Sequence, residues 1–523
     1  MGNEVTYDNA SSAELISPKE SSDGPQTIHG GDTQDIGCHS NSTQLSALSN
    51  NKNAEILKKY EKDYPVGPHD KPQSMCPAFG SLRVGLRMKR VATVLSGSAC
   101  CVYGLSFVSH FYGARRSVGY VPFNSESLVT GKLFEDIRDA VHDMADPKNY
   151  DAIVVTNLCV PTASGVPLRL LPNEINGVRI IGIDVPGFGV PTHAEAKDIL
   201  AGAMLNFARQ EVEAGPVAAP SSGKSDRPTL AMLGEMFPAD PMVIGSILAP
   251  MDLAAGPVLP AREWREMYAA LDCSAVAAIH PFYTATMREF DAAGRPSIGS
   301  APVGYEGTAS WLESVGEVFG VSKAKVSKAK NAVLPNIKKS IKDNKIKGRI
   351  TVSGYEGSEL IVARLLSESG IDVPYVGTAC PRTPMAEQDA QWLEAKGAVV
   401  KFRASLEDDI SAAEALEPDL AIGTTPLVQH FKQKGKSALY FTNLVSARPL
   451  MGQAGVGSFN QLINGVLNNS EKMQSLQNFF AGVGSDDTSG VWEGEPNLRP
   501  EFRAQNQKKL EKAARAAKAA EMI

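Results

Sequence analysis

Ser74-Met75-Cys76-Pro77, Gly97-Ser98-Ala99-Cys100-Cys101 and Thr156-Asn157-Leu158-Cys159-Val160-Pro161 hold four of the seven cysteines of this chain, and their spacing decides how the rest is read. A structural zinc site draws pairs of thiolates from single tight turns as Cys-x-x-Cys, and a redox dithiol uses the same spacing. No such pair occurs anywhere in the sequence. Long, irregular separations suit an iron cluster held where several βα loops meet, because thiolates are the soft ligands iron prefers.

The flanking residues predict that geometry. Val91-Ala92-Thr93-Val94-Leu95 reads as a buried strand running into Ser96-Gly97-Ser98, and Val102 to Tyr112 as the helix after it, which puts Cys100 and Cys101 at a strand-to-helix turn. Tyr150 to Thr156 is a near-continuous apolar strand that delivers Cys159 just past its carboxyl end. Open α/β sheets place their ligands at that edge. Taken singly, each cysteine reads equally well as a small buried hydrophobe.

The whole chain, 523 residues with 43% hydrophobic and 21% charged residues, has the length of about three domains. A formal charge of -6 gives no footprint for nucleic acid. No run of about 18 apolar residues predicts a membrane span, and Met1 to Thr6 opens neither a secretory signal nor a myristoylation pattern. A cytoplasmic location is expected, where a reducing poise keeps thiols free for metal.

Residues 1–70, polar and poor in large apolar side chains, predict a disordered tail, in which His29, Cys38 and His39 make at most a weak metal cluster. Residues 71–225 predict a doubly wound domain carrying the cluster cysteines, with Leu133, Phe134, Ile137, Val141 and Met144 at helical spacing. Within it Thr192-His193-Ala194-Glu195 reads as a capping box, and His193 as a solvated first-turn residue rather than a site residue. Gly215 to Ser225 is a linker by composition; its Gly223-Lys224-Ser225 is no phosphate loop, because Ala218 stands where a glycine is needed and prolines where a strand is needed.

A second domain is expected over 228–345, where Ala275 to Ile279 ends at His280-Pro281-Phe282-Tyr283, a core filler or one wall of an apolar pocket. Lys323 to Lys347 reads as a basic helix with a solvated face, or second as a dock for an acidic protein. A third domain is expected over 346–450. Its Ile350 to Gly357 is a strand and glycine turn without G-x-G-x-x-G, and Cys380 ends the next strand. A helical segment over 451–498 is expected to return to the first domain, before a charged tail at 499–523. The fold class is therefore α/β, with three Rossmann-like doubly wound parallel-sheet domains.

Four longer stretches carry a family likeness: Ser74 to Gly80, Ser96 to Gly104, His110 to Ser117 and Asn157 to Thr162. They resemble the catalytic component of nitrogenase and its relatives in dark chlorophyll and bacteriochlorophyll synthesis, most of all the Y-type subunits of the chlorophyllide a reductases. The likeness covers about residues 71–490. It implies a nitrogenase component 1-like fold and a [4Fe-4S] cluster bridging to a Z-type partner subunit, in a heterotetramer of two copies of each.

By position in the family pattern the ligands on this chain are Cys76, Cys101 and Cys159, with the fourth on the partner. Cys100 is set aside because a vicinal pair cannot easily aim both thiolates at one iron site. Cys101 is preferred as the one nearer the start of the expected helix. The resemblance further implies an ATP-dependent X-type iron protein with its own [4Fe-4S] cluster, and ferredoxin-driven reduction of the C7=C8 bond of chlorophyllide a, the ethylidene-forming outcome staying open.

Nitrogenase holds its large cofactor through a second-domain cysteine and a late histidine. Here Cys273 precedes its strand and nothing follows His430, so a cavity for a flat tetrapyrrole is expected in place of nitrogen reduction. An N-type subunit of light-independent protochlorophyllide reductase, a cluster-bearing assembly scaffold and an α/β binder whose cysteines merely pack remain as alternatives.

Overall fold

A computed structural model describes residues 53–57, 76–111 (side chains to 105), 118–215, 217, 226–234, 240–446 (side chains to 445) and 449–471, with positions 508, 511, 512 and 515. Among these, three sheets follow one another along the chain. The first runs β2-β1-β3-β5-β4, built from β1 (Val91–Ser96), β2 (Val118–Val121), β3 (Ala152–Asn157), β4 (Glu174–Ile175) and β5 (Val178–Asp184). All neighbours are parallel except the short edge strand β4.

The second, all parallel, runs β7-β6-β8-β9 from β6 (Thr229–Leu233), β7 (Ala254–Leu259), β8 (Ala275–Ala278) and β9 (Ser297–Ile298). The third, also all parallel, runs β12-β11-β10-β13-β14 from β10 (Ile350–Gly354), β11 (Tyr375–Thr378), β12 (Val399–Phe402), β13 (Leu420–Gly423) and β14 (Ala438–Tyr440). The expected doubly wound α/β class is what the chain adopts.

Parallel strands are covered on both faces, so their sequences are apolar throughout. In β3 the alternation still sorts the faces. Ala152 and Val154 pack with helices Ala78–Arg87 (α1) and His193–Ala214, whereas Ile153 and Val155 meet Leu133, Ile137 and Val141 of helix Lys132–Met144. Helix α1 lies along helix His193–Ala214 by way of Gly80, where a Cβ would stand 1.7 Å from the His193 carbonyl oxygen.

Two segments differ from expectation. Residues 53–57, placed by composition in a mobile tail, are helical and bury Ala54 and Leu57 against Tyr375, Val399, Ala412 and Leu416, with Asn53 donating to the Gly397 carbonyl at 2.6 Å. Two apolar side chains at helical spacing suffice once a preformed groove receives them. Helix Gly452–Leu467, expected to return to the first domain, instead lies on the lysine-rich helix Lys323–Asp343. Val456, Phe459 and Ile463 enter the core shared by the second and third sheets, and Asn460 donates to the Asn344 carbonyl at 3.1 Å.

Residues 472–498 of the segment expected to be helical, His29, Cys38, His39, Gly223 to Ser225 and most of the tails lie outside the described residues. No described helix is long and apolar enough to cross a membrane.

Candidate metal centre

In a sheet wound in both directions, the crevice lies where the strand order reverses, outside the carboxyl ends of the two strands on either side. In the first sheet those strands are β1 and β3. Helix α2 (Ala99–Phe111) leaves β1 with Cys100 and Cys101 in its first turn, and the short helix α3 (Cys159–Ala163) leaves β3 with Cys159 as its first residue. Helix α1 runs back to the start of β1. Ten residues at 1.5 Å each return its beginning, and Cys76 just before it, to the same edge.

Cys76, Cys100 and Cys101 are exposed and Cys159 half-buried; none of the four is packed singly among aliphatic side chains. Crowding around its sulfur raises the Cys76 thiol, offset in part by a bond from the Ala78 N–H and reinforced by charge on Cys159. The Cys101 thiol is also raised, first by burial and by its contact with Cys100, then by charge on Cys100, Cys76 and Cys159. Cys101 thus senses Cys76 and Cys159, and Cys76 senses Cys159, along a single rim. Ser98 Oγ lies 3.0 Å from the Cys100 sulfur and lowers its thiol, with Cys101 the next influence.

Gly187, in the loop after β5, donates its N–H to Cys159 Sγ at 3.1 Å. Asp184 Oδ1 accepts from Asn157 Nδ2 at 2.9 Å and from Thr162 Oγ1 at 3.2 Å; burial raises its carboxyl more than these bonds lower it. Among the described residues no three His, Cys, Asp or Glu side chains close on one ion-sized point. A cubane presents separate irons to separate thiolates and so spreads its ligands wider than one ion does. Three soft donors on a shared, open rim fit such a group.

Two readings of the thiol rim need revision. Helix α2 begins at Ala99, earlier than expected, so both vicinal cysteines sit in its first turn and nearness to the helix start does not favour Cys101. Cys101 feels the charge of Cys76 and Cys159, which ties it to the same rim. The other two described cysteines are buried away from the rim: Cys273 has its thiol donating to the Ala269 carbonyl at 3.3 Å, and Cys380 lies beyond β11, its thiol raised by burial.

His193 is likewise corrected. It is buried, with Nε2 3.3 Å from Glu356 Oε2, while Lys197 Nζ lies 3.2 Å and Arg83 3.6 Å from the same oxygen. Burial pushes the Glu356 carboxyl up, but Lys197 and then His193 outweigh it and hold the group well below the usual range. This cluster ties the first sheet's helices to the loop after β10. Sequence reasoning missed it because Glu356 stands more than 150 residues from each of the other three. His280, Phe282 and Tyr283 are buried and stacked, with the two latter rings 4.5 Å apart, which makes them core.

A doubly wound α/β chain with a thiol rim at its first switch point defines a class, and comparison with known proteins places the chain within it. Residues 76–468 match the family described as nitrogenase component 1 type oxidoreductase, and the chain belongs to that family. It is 71% identical to the chlorophyllide reductase 52.5 kDa chain of Cereibacter sphaeroides, over 93% of this chain and 97% of the relative. The corresponding chain of Rhodobacter capsulatus is 68% identical over 93% and 98%. A solved structure described as nitrogenase Cp1 at pH 6.5 shares the fold, with TM-score 0.60 over 80% of this chain and 98% of that one, at 13% identity.

Proposed function

We propose that this chain is the Y-type subunit of a chlorophyllide a reductase, holding a [4Fe-4S] cluster through Cys76, Cys101 and Cys159. The observation that carries the reading is the convergence of these three thiols on the carboxyl edge of β1 and β3, in a chain 71% identical to a chlorophyllide reductase chain over nearly its whole length. When bound, the cluster supplies low-potential one-electron chemistry.

The chain's own part is to hold and cover. Cys76, Cys101 and Cys159 offer three thiolates, and the fourth ligand belongs to a Z-type partner. The surroundings of the rim support a covering subunit: Tyr103, Val160 and Phe188, neighbours in sequence of Cys101, Cys159 and Gly187, are 77%, 37% and 64% exposed. A partner laid over them would exclude water from the cluster. The rest of the assignment follows the same likeness: an ATP-dependent X-type iron protein with its own [4Fe-4S] cluster as electron donor, a heterotetramer with the Z-type subunit, reduction of the C7=C8 bond of chlorophyllide a, and domains over 71–225, 228–345 and 346–450.

Replacing Cys76, Cys101 or Cys159 by Ser should abolish cluster absorbance and pigment reduction together in the anaerobic complex. Cys100→Ser should keep more than half of both. A Cys101→Ser enzyme that still reduces chlorophyllide would refute the ligand set. Full activity with protochlorophyllide in place of chlorophyllide would refute the substrate.

A further inference from the structure

The loop after β5 is fastened at its start to the elements that carry Cys159. At its start Asp184 Oδ1 accepts from Asn157 at the end of β3 and from Thr162 of helix α3, so one carboxylate joins strand, helix and loop. The Val185 N–H continues the sheet by donating to the Asn157 carbonyl at 3.1 Å. Pro186 then opens a tight turn, its carbonyl accepting from Gly189 at 3.1 Å and Val190 at 2.9 Å. Within that turn the Gly187 N–H is not used by the main chain around it. It points at Cys159 Sγ, 3.1 Å away.

An N–H aimed at a thiolate favours negative charge on the sulfur, and favours it more as a bound iron group gains an electron. Hydrogen bonds to ligand sulfurs are one of the levers that set the potential of iron–sulfur groups. We propose that Gly187 is a fixed donor to the Cys159 thiolate that raises the reduction potential of the bound cluster, and that Asp184 is the positioning residue that holds the Pro186–Gly189 turn at that distance. The inference rests on the cluster reading given above.

Potentiometric titration followed by electron paramagnetic resonance, on the anaerobic complex with the partner subunit, tests it. Position 187 is the second residue of its turn, where proline is well tolerated, so Gly187→Pro deletes the N–H while keeping the turn. Gly187→Ala keeps the N–H, and its Cβ would meet Cys159 Sγ at 3.5 Å, an ordinary contact. The expected result is a wild-type potential in Gly187→Ala, a clear negative shift in Gly187→Pro, and a smaller shift of the same sign in Asp184→Ala. An unchanged potential in iron-loaded Gly187→Pro overturns the proposal. If that variant takes up no iron, an unchanged potential in Asp184→Ala overturns it instead. A wild-type complex without iron and acid-labile sulfide would overturn the cluster reading itself, and the two failures are thereby distinguished.

Discussion

At the switch point of the first sheet the ends of β1 and β3 carry thiols that face outward, with apolar side chains exposed beside them. At the switch point of the third sheet the ends of β10 and β13 are filled by the chain itself. Helix Glu359–Glu368 starts there, and in many wound folds such a helix start receives a phosphate. Here the Glu359 carboxylate takes that place, accepting the N–H groups of Glu356 at 2.8 Å and Gly357 at 2.9 Å and the Thr378 hydroxyl at 3.0 Å. Thr424, at the end of β13, is buried as well. One fold position has been left open with soft donors and the other closed with a carboxylate. The winding of the sheet makes the crevice, and the residues at its lip decide whether it is a site.

That contrast can be broken at the closed end. Glu356→Ala removes the carboxylate on which Lys197, His193 and Arg83 converge and should cost the most, about 3–5 kcal/mol, because Lys197 is left buried without it. Chemical unfolding measures the loss; a change below about 1 kcal/mol would mean that the cluster does not join the sheets.

The Glu359 carboxyl, fully buried, is pushed up from 4.5 to about 7 by burial. A raised acid holds its proton more tightly folded than unfolded. Its contribution to stability is therefore complete below about pH 4.5 and lost as pH rises through about 7, a span on the order of 3 kcal/mol. Denaturant midpoints between pH 4 and 8 should show that fall, and Glu359→Gln should flatten it. The slope persisting in the variant would count against an internal carboxylate that closes this crevice.

A smaller effect sharpens the same point. Gly357 has φ +88°, and a Cβ there would stand 2.0 Å from Phe282 Cδ1, so Gly357→Ala should destabilise by about 2 kcal/mol or more. Calorimetry would show it, while cluster absorbance should stay at the wild-type level, since the thiol rim belongs to another sheet.

How much of this could be read beforehand follows from where the signals lie. Buried parallel strands are short apolar runs ended by turn residues, here Gly97, Pro161 and Pro281, so Val91–Ser96, Ala152–Asn157 and Ala275–Ala278 stood out locally. Cys101 and Cys159 stood out because each sits at such a turn. The His193–Glu356 pair did not, since nothing near His193 indicates a carboxylate 163 residues on. Nor did the docking of residues 53–57 or of helix Gly452–Leu467, whose few apolar positions acquire meaning only beside surfaces built elsewhere. The Gly187 N–H belongs to the same class: main-chain donors leave no mark in composition.

The most direct test of the account is iron and acid-labile sulfide content of the anaerobic complex with its partner subunit, compared between wild type, Cys100→Ser and Cys101→Ser. The account predicts a cubane's worth of both in wild type and in Cys100→Ser, and near none in Cys101→Ser. Equal iron in the two variants, or none in the wild type, would contradict it.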